Sequence, residues 1–191
     1  MNLPGSDRIT VILDAVLAEE SDTFTNSPTD SGGPTKWGIT QATLSDHLGR
    51  PAKILDVQRI TREDAFQILH VRYVVRPHFA EVCDISQLIG TRLIDGGVIS
   101  GPAILSIFLQ RCLNALNLNA TRYPDIPVNG EVSPSTLAAL KSYLAWRGTD
   151  GERVLAEAIE CLLGARFITD AERRPKDEAY LYGWLKNRIT L

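Results

Sequence analysis

Apolar residues recur at helical spacing along almost the whole chain, and one segment, residues 21–39, breaks the pattern. Ile9, Ile12, Leu13, Val16 and Leu17 fall on one stripe, so a first amphipathic helix is expected, with Ser6 as its cap. A short second helix is expected from about Thr40 to Leu48, stopping at Gly49. Thr61, with Asp64 three residues on, has the form of a capping box for a third helix ending near Pro77. Residues 84–95 read as helix, interrupted by Gly96-Gly97. Ser100-Gly101-Pro102 then opens an apolar helix through Ile104, Ile107, Phe108 and Leu116. The Asn- and Pro-bearing stretch 117–130 reads as a loop. Ser133-Pro134 opens a helix through Leu137 and Leu140, another runs from about Asp150 to Phe167, and Pro175 sets off a last one around 180–189.

Residues 21–39 are rich in Ser, Thr, Asn, Gly and Pro, which implies turns and at most a short hairpin. In a helical protein, so long a segment without a helix is commonly functional. Composition narrows the function. Twenty Lys and Arg stand against 23 Asp and Glu, for a net charge of −3, and neither half of the chain is basic. A nucleic-acid duplex selects a basic face, so nucleic acid is not expected as a partner. No run approaches the ~20 apolar residues that span a bilayer, so no membrane insertion is expected. The amino terminus has no basic start and apolar core of the signal-peptide kind, so the protein is expected to stay in the cytoplasm as made. Cys83, Cys112 and Cys161 are far apart and read as buried free thiols. The three histidines lack zinc spacing and no dinucleotide or phosphate loop occurs, so neither metal nor organic cofactor is expected.

The end of the first helix offers two adjacent carboxyls, and helix geometry separates them. Extrapolated at ~100° per residue, Glu20 falls within ~20° of the apolar stripe and Glu19 about 80° off it. Burial and the negative end of the helix dipole would both disfavour a Glu20 anion, which is the condition a general acid needs. The competing reading is a glutamate paired with an arginine at a helix end. Asp30 follows beside Gly32-Gly33, then Thr35, Trp37 and Thr40. An acid, a second carboxyl and a hydroxyl are the parts of glycoside hydrolysis, and Trp37 could offer a flat surface to a sugar ring. An Asx-turn for Asp30 and a core position for Trp37 are the plainer alternatives.

Here the residues resemble a known family. The stretch from Val16 to Thr40 is similar to the amino-terminal signature of glycoside hydrolase family 108 muramidases, and Asn26, Pro28, Asp30, Gly32, Gly33, Thr35, Trp37, Gly38, Ile39 and Thr40 all match it. Leu93-Ile94-Asp95, Ser100-Gly101-Pro102, Leu109-Gln110-Arg111, residues 128–137 and Tyr182-Gly183-Trp184 resemble the family's carboxy-terminal peptidoglycan-associated region. The resemblance implies a mainly α, lysozyme-like (α+β) fold with a small irregular or hairpin segment at about 21–39. It implies a catalytic lobe over 1–95 and a helical lobe over 96–191, together forming one unit.

By the same resemblance, Glu20 takes the position of the family's catalytic acid, Asp30 that of the second carboxylate, and Thr35 that of a water-orienting hydroxyl. Asn26, Trp37, Thr40 and Asp95 are expected at the substrate. The chain departs from the signature after Glu20, where Ser21-Asp22-Thr23 replaces Gly-Gly, so Asp22 stands as an alternative to Asp30; Ile99 replaces an Asn usual before Ser-Gly. The implied partner is the glycan strand of peptidoglycan, and the protein is expected to be a monomer. The implied role is that of a phage endolysin, cutting between N-acetylmuramic acid and N-acetylglucosamine once released from the host cytoplasm. A lytic transglycosylase and a non-catalytic peptidoglycan-binding or secretion-associated protein are the alternatives.

Overall fold

Helix dominates the computed structural model, which describes residues 5–26 and 33–189. The fold is mainly α with one small antiparallel sheet of two strands among the described residues, as the sequence implies. Two units divide the chain at residues 72 and 73.

In the first unit, helix α1 spans Gly5–Glu19 and buries Leu13 and Leu17, with Ile9, Ile12 and Val16 half-buried beside them. The expected stripe is therefore the buried face. Ser6 lies inside the helix, not at its boundary. Strands β1 (Thr35–Lys36) and β2 (Ile39–Thr40) form a hairpin that leads directly into helix α2 (Gln41–Leu48). Thr40 caps α2 by accepting from the Thr43 amide at 3.1 Å, and Gly49 ends it in the left-handed conformation. Helix α3 (Ile54–Gln58), which the periodicity did not reveal, follows; it is too short to carry an amphipathic signal, and its first residue is preceded by Lys53, a poor cap. Helix α4 (Arg62–His70) packs on α1, with Arg62 paired to Asp14 at 2.6 Å. Ile39, Leu44, Val57, Ile60, Ala65 and Ile68 complete this core.

The capping box of α4 forms as expected. Asp64 accepts from the Thr61 amide at 2.9 Å and the Thr61 hydroxyl at 2.6 Å, while Thr61 accepts from the Asp64 amide. Asp56 does the same service for α3, accepting from the Lys53 amide at 2.9 Å and pairing with Arg50 at 3.1 Å. These hydrogen bonds hold both carboxyls below their ordinary value of 3.8, so the folded state binds fewer protons than the unfolded chain just below that value. Their stabilisation is therefore present above pH 4 and is lost as pH falls through the lowered values. The melting temperature is expected to drop between pH 5 and pH 3, and to drop less in Asp56→Asn/Asp64→Asn. An equal acid slope in that variant would assign the effect to other groups.

The second unit is built from α5 (Phe79–Ile85), α6 (Gln87–Ser100), α7 (Pro102–Ala115), the long helix α8 (Pro134–Arg173) and α9 (Glu178–Arg188). Helix α6 is central, packing on α5, α7 and α8. Phe79, Ile89, Leu93, Ile94, Leu105, Leu109, Tyr143, Ile159 and Phe167 fill the core. Contrary to expectation, α6 runs straight through Gly96-Gly97. The reason is close packing: a Cβ on Gly96 would lie 2.9 Å from Leu105 and 3.0 Å from Leu163, so glycine lets α7 and α8 approach. The break comes at Gly101, with φ +89, before Pro102. The helices expected through Leu137 and from Asp150 are the two halves of α8, separated by non-helical Gly148.

Two matched stretches of the sequence meet here. Gln110, nearly fully buried on α7, accepts from the amides of Asn129 and Gly130 at 3.1 Å and donates to the Glu131 carbonyl at 2.8 Å. One side chain thus pins the loop between α7 and α8. The thiols divide differently from expectation: Cys83 and Cys112 are buried, which pushes each up to about 11, whereas Cys161 is exposed on α8, between inward-facing Ile159 and Leu163. None of the helices among the described residues is long and apolar enough to cross a membrane.

Candidate active site

The chain leaves α1 at Glu19 and turns beneath the hairpin. Thr25 and Thr35 exchange two backbone hydrogen bonds of 2.9 Å, and the Trp37 amide donates to the Ser21 carbonyl at 3.0 Å. Residues 21–25 therefore run alongside β1 and hold the end of α1 to the hairpin. In the hairpin itself Thr35 pairs with Thr40 and Lys36 with Ile39, leaving Trp37 and Gly38 as the two turn residues. Both have positive φ, +54 and +70, the combination that a two-residue turn of this hand requires. Glycine adopts it freely; tryptophan does so at a cost of about 1 kcal/mol or more. Lys36 steadies the hairpin by donating to the Gln58 carbonyl at 3.0 Å.

Glu20 lies against this turn. A Cβ on Gly38 would sit 2.7 Å from the Glu20 carboxyl carbon and 3.0 Å from Oε2, so the carboxyl occupies space that only glycine leaves open. This brings together three sequence-predicted residues: Glu20 beside the Trp37-Gly38 turn, with Thr35 at the base of the same hairpin. Glu20 is nonetheless exposed, as is Glu19. The expected burial fails because α1 ends one residue earlier, so a helical projection does not reach Glu20. Proximity to the turn, not the core, defines its surroundings.

The remaining candidates divide. The Thr35 hydroxyl donates to the Gly33 carbonyl at 3.0 Å, leaving its oxygen able to accept from water. Trp37 is half-buried, with part of its surface open. Thr40 contacts Thr43 through both hydroxyls and caps α2, so it braces the hairpin's exit. Asn26 and Asp22 are exposed, the latter accepting from Thr23 at 3.5 Å. Asp30 lies outside the described residues. Asp95 belongs to the second unit, where it is ion-paired with Arg188 of α9; burial raises its carboxyl above the ordinary range against the opposing pull of Arg188 and Arg92. Sequence reasoning missed Gly38 as the seat of Glu20. The signal was present: Trp-Gly between Thr-Lys and Ile-Thr is a two-residue turn flanked by strand formers. Among the described residues no cluster of three His, Cys, Asp or Glu is placed to hold a metal ion.

Residues 13–101 match the family model described as Glycosyl hydrolase 108, and residues 105–189 match one described as Predicted Peptidoglycan domain. The solved structure of Brucella abortus SagA is similar to this chain, with a TM-score of 0.63 and 21% sequence identity over 96% of this chain and 90% of that one. At that identity the likeness carries the fold alone. No curated protein sequence matches.

Proposed function

Because residues 13–101 belong to glycosyl hydrolase family 108 and residues 105–189 to the predicted peptidoglycan domain, we propose that this glycoside hydrolase of peptidoglycan is an N-acetylmuramidase with Glu20 as its acid. The bond cut is the β-1,4 link from N-acetylmuramic acid to N-acetylglucosamine. The observation that carries this reading is the seating of the Glu20 carboxyl on Gly38, next to an aromatic side chain held in a strained turn. A sugar resting on Trp37 would bring its glycosidic oxygen toward the carboxyl seated on Gly38. Glu20 then gives its proton to the leaving glycosidic oxygen as the C1–O bond breaks. Water, oriented by Thr35 and by Asp30 or Asp22, adds at C1 and returns a proton to a carboxylate.

In this reading the protein serves as an endolysin, waiting in the host cytoplasm and acting on periplasmic peptidoglycan after release. Mass spectrometry of fragments released from purified sacculi tests the chemistry. Hydrated, reducing muramic ends are expected. Anhydro-muramic ends would make it a lytic transglycosylase, with Glu20 as both acid and base. Sedimentation with sacculi but no released fragments would leave a binding protein.

A further inference from the structure

The two halves of α8 meet at a break, and the surroundings of that break are built around two arginines. Gly148 has φ +62 and ψ −153, a conformation essentially reserved for glycine, and it directly follows Arg147. Gly151 accommodates the arginine's stem: a Cβ there would lie 2.1 Å from Arg147 Cβ and 3.1 Å from its Cγ. The Tyr143 hydroxyl, buried, donates to the Gly151 carbonyl at 2.9 Å and fixes the turn of chain beneath. So positioned, the Arg147 guanidinium lies 3.8 Å from the centre of the Trp146 ring.

A second guanidinium reaches the same ring from the loop after α7. Arg122 lies 4.6 Å from the Trp146 centre. The loop that presents it is strained, with three successive non-glycine residues, Leu118, Asn119 and Ala120, at φ of +54 to +59. Asn117, almost fully buried, holds this turn by accepting from the Ala120 amide at 2.9 Å and donating to Asp125 at 2.7 Å. Neither Arg122 nor Arg147 has a carboxylate within ion-pair distance among the described residues. Trp146 and Arg147 line a cavity of about 450 Å³ together with Leu116, Tyr143, Gly151, Val154 and Asp150, whose carboxylate stands 3.7 Å from Arg153. Two fork-shaped cations, fixed on one indole and lacking an anion, are organised to take carboxylates in bidentate fashion.

We propose that this is a carboxylate-binding site for the peptide stems of peptidoglycan. Arg122 and Arg147 would grip the stem's free carboxylates, and the apolar wall of the cavity would receive its side chains. The proposal rests on the peptidoglycan reading above but uses residues remote in sequence from Glu20, and it makes the second unit the part that reads the peptide.

Calorimetry of the full-length protein with a free tripeptide stem released from sacculi tests it. Wild type should bind, and Arg122→Gln/Arg147→Gln should bind at least about tenfold more weakly. Arg122→Lys/Arg147→Lys should fall short of wild type, since charge is kept but the fork is lost. A stem with amidated carboxyls should not bind. Absence of binding by wild type, or equal binding by the Gln variant, overturns the proposal. So does binding of dextran sulfate that falls in parallel while the amidated stem still binds, which would mark an unselective site. If wild type cleaves sacculi yet the stem result is negative, this proposal alone fails. If the stem binds through the arginines and nothing is cleaved, the muramidase reading fails and the site stands.

Discussion

Glu20→Gln is expected to slow the clearing of a sacculus suspension by roughly 10²–10⁴-fold, the range that a lost general acid produces. Glutamine keeps the shape that fits over Gly38 and removes the proton. The side chain is exposed, so folding should be untouched and the thermal melt unchanged. Glu19→Gln, one residue earlier at the helix end, should clear sacculi as wild type does. That contrast separates a specific proton donor from a general acidic patch. Clearance by Glu20→Gln at the wild-type rate would move the acid elsewhere, whereas loss of clearance in Asp22→Asn would assign the second carboxylate to Asp22.

The second large effect concerns stability. Gly90→Ala should destabilise the second unit by about 2–3 kcal/mol. The new methyl would lie 2.3 Å from Cys83 Sγ and 2.7–2.8 Å from the Cys83 amide nitrogen and Cα. Sulfur could rotate aside, but backbone cannot, so α5 and α6 must separate. For a chain of this length the melting temperature should fall by roughly 5–10 °C. Gly183→Ala supplies the opposite sign. It lies within α9 with nothing inside 4 Å of the added methyl, and alanine favours helix by about 0.5–1 kcal/mol over glycine. A melt of Gly90→Ala equal to wild type would mean that α5 and α6 accommodate the methyl by a shift that costs little.

Helical order was legible wherever a long apolar period or a cap chemistry marked it. The stripe of α1, the Thr61–Asp64 box and the Gly49 stop all appear as written. What misled was the double meaning of glycine. Gly96-Gly97 reads as a break on local propensity, yet it serves close packing of helices whose partners lie elsewhere in sequence. At the site, the residue types were readable and their environment was not. Projecting the helix one residue beyond its end gives Glu20 a burial that the fold does not provide, while the resemblance points to the same residue without requiring that burial. Its actual neighbour, Gly38, stands eighteen positions away and is brought close only by the pairing of residues 21–25 with β1. Such non-local contacts leave no periodic trace. Arg122 and Arg147, twenty-five positions apart, likewise carry no mark in the sequence of the single indole that the loop and the helix break bring them to.

The hairpin turn bears on anyone who would make this protein hardier. Asn-Gly is the pair such a turn favours most, so Trp37→Asn is the substitution that turn statistics recommend, with relief of left-handed strain as the gain. On the function proposed above, it is also the change that removes the flat surface a sugar would rest on. A selection scored on heat resistance alone would steer toward asparagine and discard the enzyme; one scored on clearance would keep the strained tryptophan. Which residue survives at position 37 under each regime therefore reports what the turn is for.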